Sequence, residues 1–480
     1  MDRTPRAPAL LLTLLCACTP DPPPPPIVTP WVSPGAHSAR HLILISVDTL
    51  RADHLTPYGA PPGRTPFLSQ LAAEGVTFTD HLATAPTTLT SHTSLMTGLW
   101  PHNHGVARNG FSVAPENLTL AEILTGEGFL TAGFVGALPL ASRSGFAQGF
   151  AHFDETFDPD PGCGDLAVEQ AQRPANQVTD AALSWLDAKA PSERLFLFLH
   201  YFDPHAPYAA PGAFRAMYRG DAARVDGSLD EQRATRDAWP KGGHELSEGL
   251  QRAYEAEVTY TDRELGRLLD GLDARGILDE AIVIFTADHG ESFTEHWEIW
   301  NHGWSVYGET TWLPLVVRMP DGQGGQRVDA LTSAVDVLPT ALSLLDVEAP
   351  ARLDGRSFAA ALTGGQLADR GVVFTEATKP RDEAVEAGHL WANTDKCKAA
   401  RDQRWKYVEC PLKGTRELYD LTADPGEQVD LLKAAAPPLE RADALQQALR
   451  AWTASAAPPE SGFAADEDTI EGLKALGYLE

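Results

Sequence analysis

The chain has 480 residues, 43% hydrophobic and 8% aromatic, enough apolar material for one large core or two domains. Basic side chains number 38 and acidic ones 66, a net charge of −28, which argues against a nucleic-acid backbone as partner. The same field repels small anions, so an anionic substrate needs a local metal or basic cluster to attract it.

The first element is a targeting segment. Arg3 and Arg6 precede the apolar run "ALLLTLLCA", which is too short to span a bilayer. Leu15-Cys16-Ala17-Cys18 looks like a bacterial lipoprotein box, so residues 1–18 are expected to be a signal peptide with its lipid-bearing Cys18. Plain secretion with two incidental cysteines is the other reading. Either way the chain is expected to be exported, and the lipoprotein reading puts it in the cell envelope, anchored to the membrane through Cys18. Residues 19–38 are rich in proline, an extended and semi-rigid tether. Of the remaining cysteines, Cys397 and Cys410 have the option of bridging, which leaves Cys163 free; the spacing is that of neither a zinc ribbon nor a disulfide framework.

From residue 39 onward, short β-branched runs alternate with helical patterns. "HLILISVD" (41–48), "GFLTAGFVG" (128–136), "LFLFLHYF" (195–202), "AIVIFTADHG" (281–290) and "LPLVVRM" (313–319) read as buried strands. "PFLSQLAAEG", "LTLAEILTGEG", "VTDAALSWLDAK", the long pattern over 249–276 and "VDVLPTALSLLDV" read as helices. This alternation predicts an α/β fold, a mostly parallel sheet flanked by helices, over residues 39–370. Residues 209–247 read as a long surface excursion near the site mouth, with a lid as one option. Over 371–480 the texture changes to "GVVFTEA", "RWKYVEC" and "RELYDL", with "TIEGLKALGYLE" as a terminal helix: a smaller α+β subdomain.

In parallel sheets ligands bind beyond the carboxyl ends of the strands. Asp48, Asp203, His205, Asp288 and His289 all fall there. Asp48, Asp288 and His289 are two carboxylates and an imidazole, a donor set for a divalent cation such as calcium, zinc or manganese. Three protein ligands leave room for a nucleophile or a substrate oxygen. The hydroxyl-rich stretch "TAPTTLTSHTSLMTG" (84–98) has two readings, a helix cap or a catalytic nucleophile.

"LISVDTLRADHLTPYG", "TSLMTGLWPHNHGV", "LTLAEILTGEGFLTAGFVG", "HYFDPHAPY", "FTADHGESFTEH", "NHGWSVYGETTWLPLVV" and "ELYDLTADPGEQVDL" are similar, in order and spacing, to the sulfatase family. That family lies within the alkaline phosphatase superfamily of metal-dependent ester hydrolases. The resemblance runs from about His41 to Leu432 and implies an alkaline-phosphatase-like fold. It implies Asp48, Asp288 and His289 as metal ligands, His205 as a contact to the anionic ester, and His302 near the leaving-group oxygen. Thr49 stands where a second metal-binding Asp is common, which implies a single metal.

Counting back from Leu95-Met96-Thr97-Gly98 to the family's Cys-or-Ser, any residue, Pro, any residue, Arg segment puts Thr88 at the nucleophile, Thr90 at the Pro and His92 at the Arg. A threonine is no substrate for maturation to formylglycine, so none is expected. A metal-activated Thr88, itself a metal ligand, remains able to attack phosphorus. Ala137 stands where the family often has a sulfate-contacting Lys; with the Arg missing too, His92, His102 and His104 are the available substitutes, and "PHNHG" also reads as a structural turn. Glu291, Glu295 and His296 read as support for the ligands at most, and His200 as a structural strand-end residue. The expected function is hydrolysis of a small sulfuric or phosphoric ester by Thr88. Phosphoryl transfer to an alcohol, a neighbouring hydroxyl such as Thr87 as nucleophile, and a non-catalytic envelope binding protein stay open.

Overall fold

The computed structural model describes residues 39–157, 172–188, 193–218, 225–320, 324–378 and 396–457. The leader, its Cys18, the proline tether, Cys163 and the expected terminal helix lie outside the described residues.

Eight strands form the main sheet: β1 (His41–Val47), β2 (Val76–Leu82), β3 (Leu130–Val135), β4 (His152–Asp154), β5 (Leu195–Tyr201), β6 (Ala281–Ala287), β7 (Trp312–Arg318) and β8 (Gln326–Ser333). Their order is β4-β3-β5-β1-β6-β7-β2-β8. All neighbours run parallel except β7, which is antiparallel to both β6 and β2. The central strands β1, β5 and β6 are buried at every position and mostly apolar, because both faces are covered. Ile43, Ile45 and Val47 face one core with Leu197, Leu199, Val283 and Phe285. Leu42 and Leu44 face the other, with Phe196, Phe198, Ile282 and Ile284.

The helices are α1 (Pro66–Glu74), α2 (Thr88–Thr97), α3 (Pro101–His104), α4 (Leu120–Gly126), α5 (Ala175–Asp187), α6 (Gly212–Met217), α7 (Leu229–Ala238), α8 (His244–Asp273), α9 (Gly308–Thr311), α10 (Val337–Leu344), α11 (Ala359–Leu362) and α12 (Leu439–Ala454). Helices α1, α5 and α8 cover one face of the sheet through Leu68, Leu71, Val178, Ala182, Leu265 and Leu269. Helices α2, α4 and α10 cover the other through Leu89, Leu95, Leu120, Leu124, Leu338 and Leu342. Local signals set several boundaries. Thr119 and Glu122 form a reciprocal capping box at the start of α4. Pro66 opens α1, whose Phe67 and Leu68 N–H groups donate to the Asp262 carboxylate of α8. The excursion over 209–247 carries α6 and α7, both packed on α8. Among the described residues no helix is long and apolar enough to cross a membrane.

A second sheet, order β12-β11-β10-β9, contains β9 (Val373–Glu376), β10 (Lys398–Arg401), β11 (Trp405–Cys410) and β12 (Thr415–Asp420). It is antiparallel throughout. Helix α12 packs on β10 and β11, burying Leu445, Leu449 and Trp452 beside Tyr407 and Leu418. Cys397 and Cys410 are joined in a disulfide. The end of β9 is stitched to the main domain beside the hydroxyl-rich stretch: Glu376 N donates to Thr84 O at 3.0 Å and Thr378 N to Gly303 O at 2.9 Å.

Candidate active site

Strands β5, β1 and β6 lie side by side, so the residues just beyond their carboxyl ends converge. Asp48 follows β1, and Asp288 and His289 follow β6. His289 Nε2 stands 3.6 Å from Asp48 Oδ1 and 3.5 Å from Asp288 Oδ2. All three side chains are buried, and these same three atoms make no hydrogen bond. Buried polar atoms left unbonded cost about 1–3 kcal/mol each, so three facing one point mark a place for a cation. Ligand bonds of about 2.0–2.1 Å in a tetrahedral shell put donors roughly 3.3–3.4 Å apart, close to the spacing seen.

The electrostatics agree with that reading. Burial, then the Glu291 charge, holds the Asp48 carboxyl well above the usual range. Burial and the neighbouring Asp48 do the same to Asp288. Burial holds the His289 imidazole well below its ordinary value, so it is neutral. Its Nδ1–H donates to Gly290 O at 2.9 Å, which leaves the Nε2 lone pair aimed at the two acids. Asp288 is fixed by its other oxygen, Oδ1, which accepts from His289 N at 2.7 Å and Thr49 N at 3.2 Å. These residues fit one divalent ion.

Helix α2 brings Thr88 beside this cluster, at the other oxygen of Asp48. Thr88 is its first residue, and its Oγ1 lies 3.5 Å from Asp48 Oδ2, at the outer limit of a hydrogen bond. Apart from Thr90, the other hydroxyls of the stretch are engaged elsewhere. Thr87 bonds the Pro86 carbonyl and the Thr378 hydroxyl. Ser91 donates to Asp288 O at 2.7 Å, Thr93 to Leu89 O at 2.6 Å and Thr97 to Thr93 O at 2.6 Å. Ser94 meets Thr84 and His104. Thr90 Oγ1, within the first turn of the helix, is buried without a partner.

His92 is near this cluster but committed. Its Nδ1–H donates to Thr88 O at 2.7 Å, and its Nε2 accepts from Ser46 Oγ at 2.8 Å. Both ring nitrogens are therefore used, and the ring ties the first turn of α2 to β1, with Nδ1 3.5 Å from Asp288 Oδ2. His205 and His302 come together on the other side of His289: the His302 ring lies 4.5 Å from that of His289 and 5.3 Å from that of His205. His205 Nδ1–H donates to Ala206 O at 2.6 Å, and His302 Nδ1 pairs with Glu291 Oε1 at 3.2 Å. His104 is held by Val106 N and Ser94 Oγ, and His102 packs against Trp452, so both serve the structure there. Glu295 binds Arg51, and His296 is taken up by Glu309 and the Glu427 carbonyl. Asp203 accepts from Ala175 N at the start of α5.

Two residues gain importance that the sequence did not give them. Tyr254 of α8 clamps the turn after Asp48, and His200 of β5 stands with its Nε2 3.6 Å from Asp48 Oδ2. A buried histidine in an otherwise apolar strand was the available signal for His200. Nothing in the sequence pointed from Tyr254 to a turn some two hundred residues away.

Comparison with known proteins gives the family. The sequence profile described as Sulfatase matches residues 40–347, well over half of the chain, and that described as N-sulphoglucosamine sulphohydrolase, C-terminal, matches residues 297–452. The multifunctional alkaline phosphatase superfamily protein PehA of Trinickia caryophylli is 26% identical over 472 residues, spanning 81% of this chain and 90% of that protein. An arylsulfatase of Clostridium perfringens is 24% identical over 82% of this chain and 90% of its own length. The phosphonate monoester hydrolase of Agrobacterium radiobacter has a similar fold, with a TM-score of 0.68 at 24% identity, over 86% of this chain and 96% of that one. The chain belongs to the sulfatase family, hydrolases that act on sulfuric or phosphoric esters.

Proposed function

We propose that the protein hydrolyses a small phosphoric ester or diester, with Thr88 as nucleophile and one divalent cation held by Asp48, Asp288, His289 and Thr88. One observation carries this reading: the Thr88 hydroxyl stands 3.5 Å from Asp48 Oδ2, on the same carboxylate whose Oδ1 belongs to the orphaned acid–imidazole cluster, while Thr87 is bonded to the Pro86 carbonyl. A cation bound there supplies positive charge that lowers the hydroxyl's pKa and draws the anionic ester in against the net negative field. Thr88 Oγ1 forms a bond to phosphorus as the ester oxygen leaves, and its proton passes toward Asp48 Oδ2. His302, held by Glu291, stands as proton donor to the leaving oxygen, and His205 as a contact to the ester's oxygens. Water then attacks phosphorus, giving its proton to His302, and Thr88 Oγ1 leaves, taking its proton back from Asp48 Oδ2. The helix start at Thr88 adds the positive end of a helix dipole, which favours an anion.

Phosphoryl chemistry is favoured over sulfuryl chemistry because Thr88 cannot become formylglycine, and because Ala137 and His92 replace basic groups associated with sulfate. A phosphonate monoester hydrolase among the structural neighbours is in keeping with it. The test is one preparation assayed on aryl sulfate, phosphate monoester, phosphate diester and phosphonate substrates with zinc, manganese and calcium varied. The expected result is a metal-dependent phosphoryl activity that Thr88→Ala lowers about 10³-fold or more and Thr88→Ser partly keeps. Faster sulfate release points to a sulfatase, products on an added alcohol point to phosphoryl transfer, and no activity with no bound metal points to a binding protein. The leader sequence supports a second part of the proposal, export and lipid anchoring at Cys18; loss of membrane association in Cys18→Ala tests it.

A further inference from the structure

The acid beside Thr88 has a neighbour that the reading above does not use. His200 is fully buried near the end of β5, paired in register with Ser46 of β1, two residues before Asp48. Neither of its ring nitrogens has a hydrogen-bond partner. Its Nε2 lies 3.6 Å from Asp48 Oδ2, the oxygen that also faces Thr88. The nearby His92 cannot serve this carboxylate instead, because both its nitrogens are spent on Thr88 O and Ser46. The edge-on contact of the two rings, centroids 4.8 Å apart, holds the His200 ring where it stands.

A neutral imidazole carries one N–H. With that hydrogen on Nδ1, the Nε2 lone pair would face a carboxylate lone pair, which is repulsive. With it on Nε2, a closure of about 0.6 Å makes an ordinary N–H···O hydrogen bond. Asp48 then has divided duties: Oδ2 is held by His200 and faces Thr88, and Oδ1 stands near His289 Nε2. We propose that His200 is a positioning residue that donates from Nε2 to Asp48 Oδ2 and thereby orients Asp48 as a metal ligand. This rests on the metal centre proposed above.

Outer partners of metal ligands typically contribute 10–100-fold in affinity. The test is chelator competition for zinc on the full chain, with unfolding of the metal-free protein measured alongside. His200→Phe and His200→Asn, neither with a donor in reach of Oδ2, are expected to bind zinc about 10–100-fold more weakly, with metal-free stability equal to or above that of wild type. His200→Gln, whose amide N–H reaches further, is expected to recover part of the affinity. Cobalt-substituted wild type and His200→Gln are expected to share visible band positions, since His200 lies outside the coordination shell. Wild-type affinity in the Phe and Asn variants overturns the proposal, and so does a changed cobalt spectrum, which makes His200 a ligand. A wild-type protein that binds no divalent ion removes the metal centre and this role together. A wild type that binds zinc beside variants that bind it equally well removes only this role.

Discussion

The turn after Asp48 is under backbone strain, and one hydroxyl holds it. Thr49 sits at φ 53°, in the left-handed region, where a β-branched residue costs about 1–2 kcal/mol. The Tyr254 hydroxyl accepts from Arg51 N at 2.9 Å and donates to Thr49 O at 2.8 Å, bracketing the strained residue. Tyr254→Phe removes both bonds and leaves a buried N–H and a buried carbonyl unpaired. At about 1–3 kcal/mol for each abandoned group, less some relaxation of the turn, the loss is expected to be about 2–4 kcal/mol. Urea unfolding of the metal-free chain measures it. Thr49→Gly relieves the strain but adds roughly 0.5–1 kcal/mol of chain entropy, so alone it is expected to shift stability by under about 1 kcal/mol. In the double variant the relaxed turn has less need of the clamp, so the two losses should not add. Tyr254→Phe within about 0.5 kcal/mol of wild type, or strict additivity with Thr49→Gly, would refute the clamp.

Three other perturbations read separate parts of the account. Burial pushes the Asp262 carboxyl up to about 7 in the fold, against an ordinary value of about 4. The folded state therefore keeps a proton that the unfolded state has lost. Its contribution to stability is full below about pH 4 and lost as pH rises through about 7. Asp262→Asn should flatten that part of the stability–pH curve, measured by urea unfolding at intervals from pH 4 to 8; an unchanged slope refutes it. Lys406 Nζ meets both Glu427 oxygens at 2.8 and 2.9 Å in a buried pair. Lys406→Met should cost about 3–5 kcal/mol, and Lys406→Met/Glu427→Gln should recover most of it; a single variant as stable as wild type contradicts the pair's burial. The Cys397–Cys410 bridge closes a separation of 13 residues, so replacing both by Ala should lower stability by about 2–3 kcal/mol. Equal stability of the reduced and oxidised wild type would remove that expectation.

Much of this layout was legible because the information is local. The continuous apolar runs of β1, β5 and β6 end in acids, and adjacent parallel strands bring such ends together, so Asp48, Asp288 and His289 could be grouped without coordinates. Strands β2 and β8 carry a weaker signal in the sequence. "VTFTDHL" and "QRVDALTS" mix charged and polar residues with apolar ones, because they lie toward the sheet edge and part of each is only half-buried or exposed. Helix α12 has no clear signature in the sequence. Its buried positions, Leu445, Leu449 and Trp452, follow the helical three-and-four spacing, which the surrounding alanines blur. The reversed direction of β7 has no local signature, since strand direction depends on the connection and not on composition. The role of His92 was read from its place in a motif, as a stand-in for a basic group. The structure instead gives both its nitrogens to Ser46 and the Thr88 carbonyl. The motif count points to Thr88 and leaves Thr87 open; the structure adds that the Thr87 hydroxyl is bonded to the Pro86 carbonyl and the Thr378 hydroxyl.

The most direct measurement is rapid quench of the metal-loaded protein with a phosphodiester substrate, followed by peptide mass spectrometry. The account predicts a phosphoryl group on Thr88 that forms and decays within turnover and is absent from Thr88→Ala. Turnover with no adduct on Thr88, or with the adduct on Thr87, contradicts it.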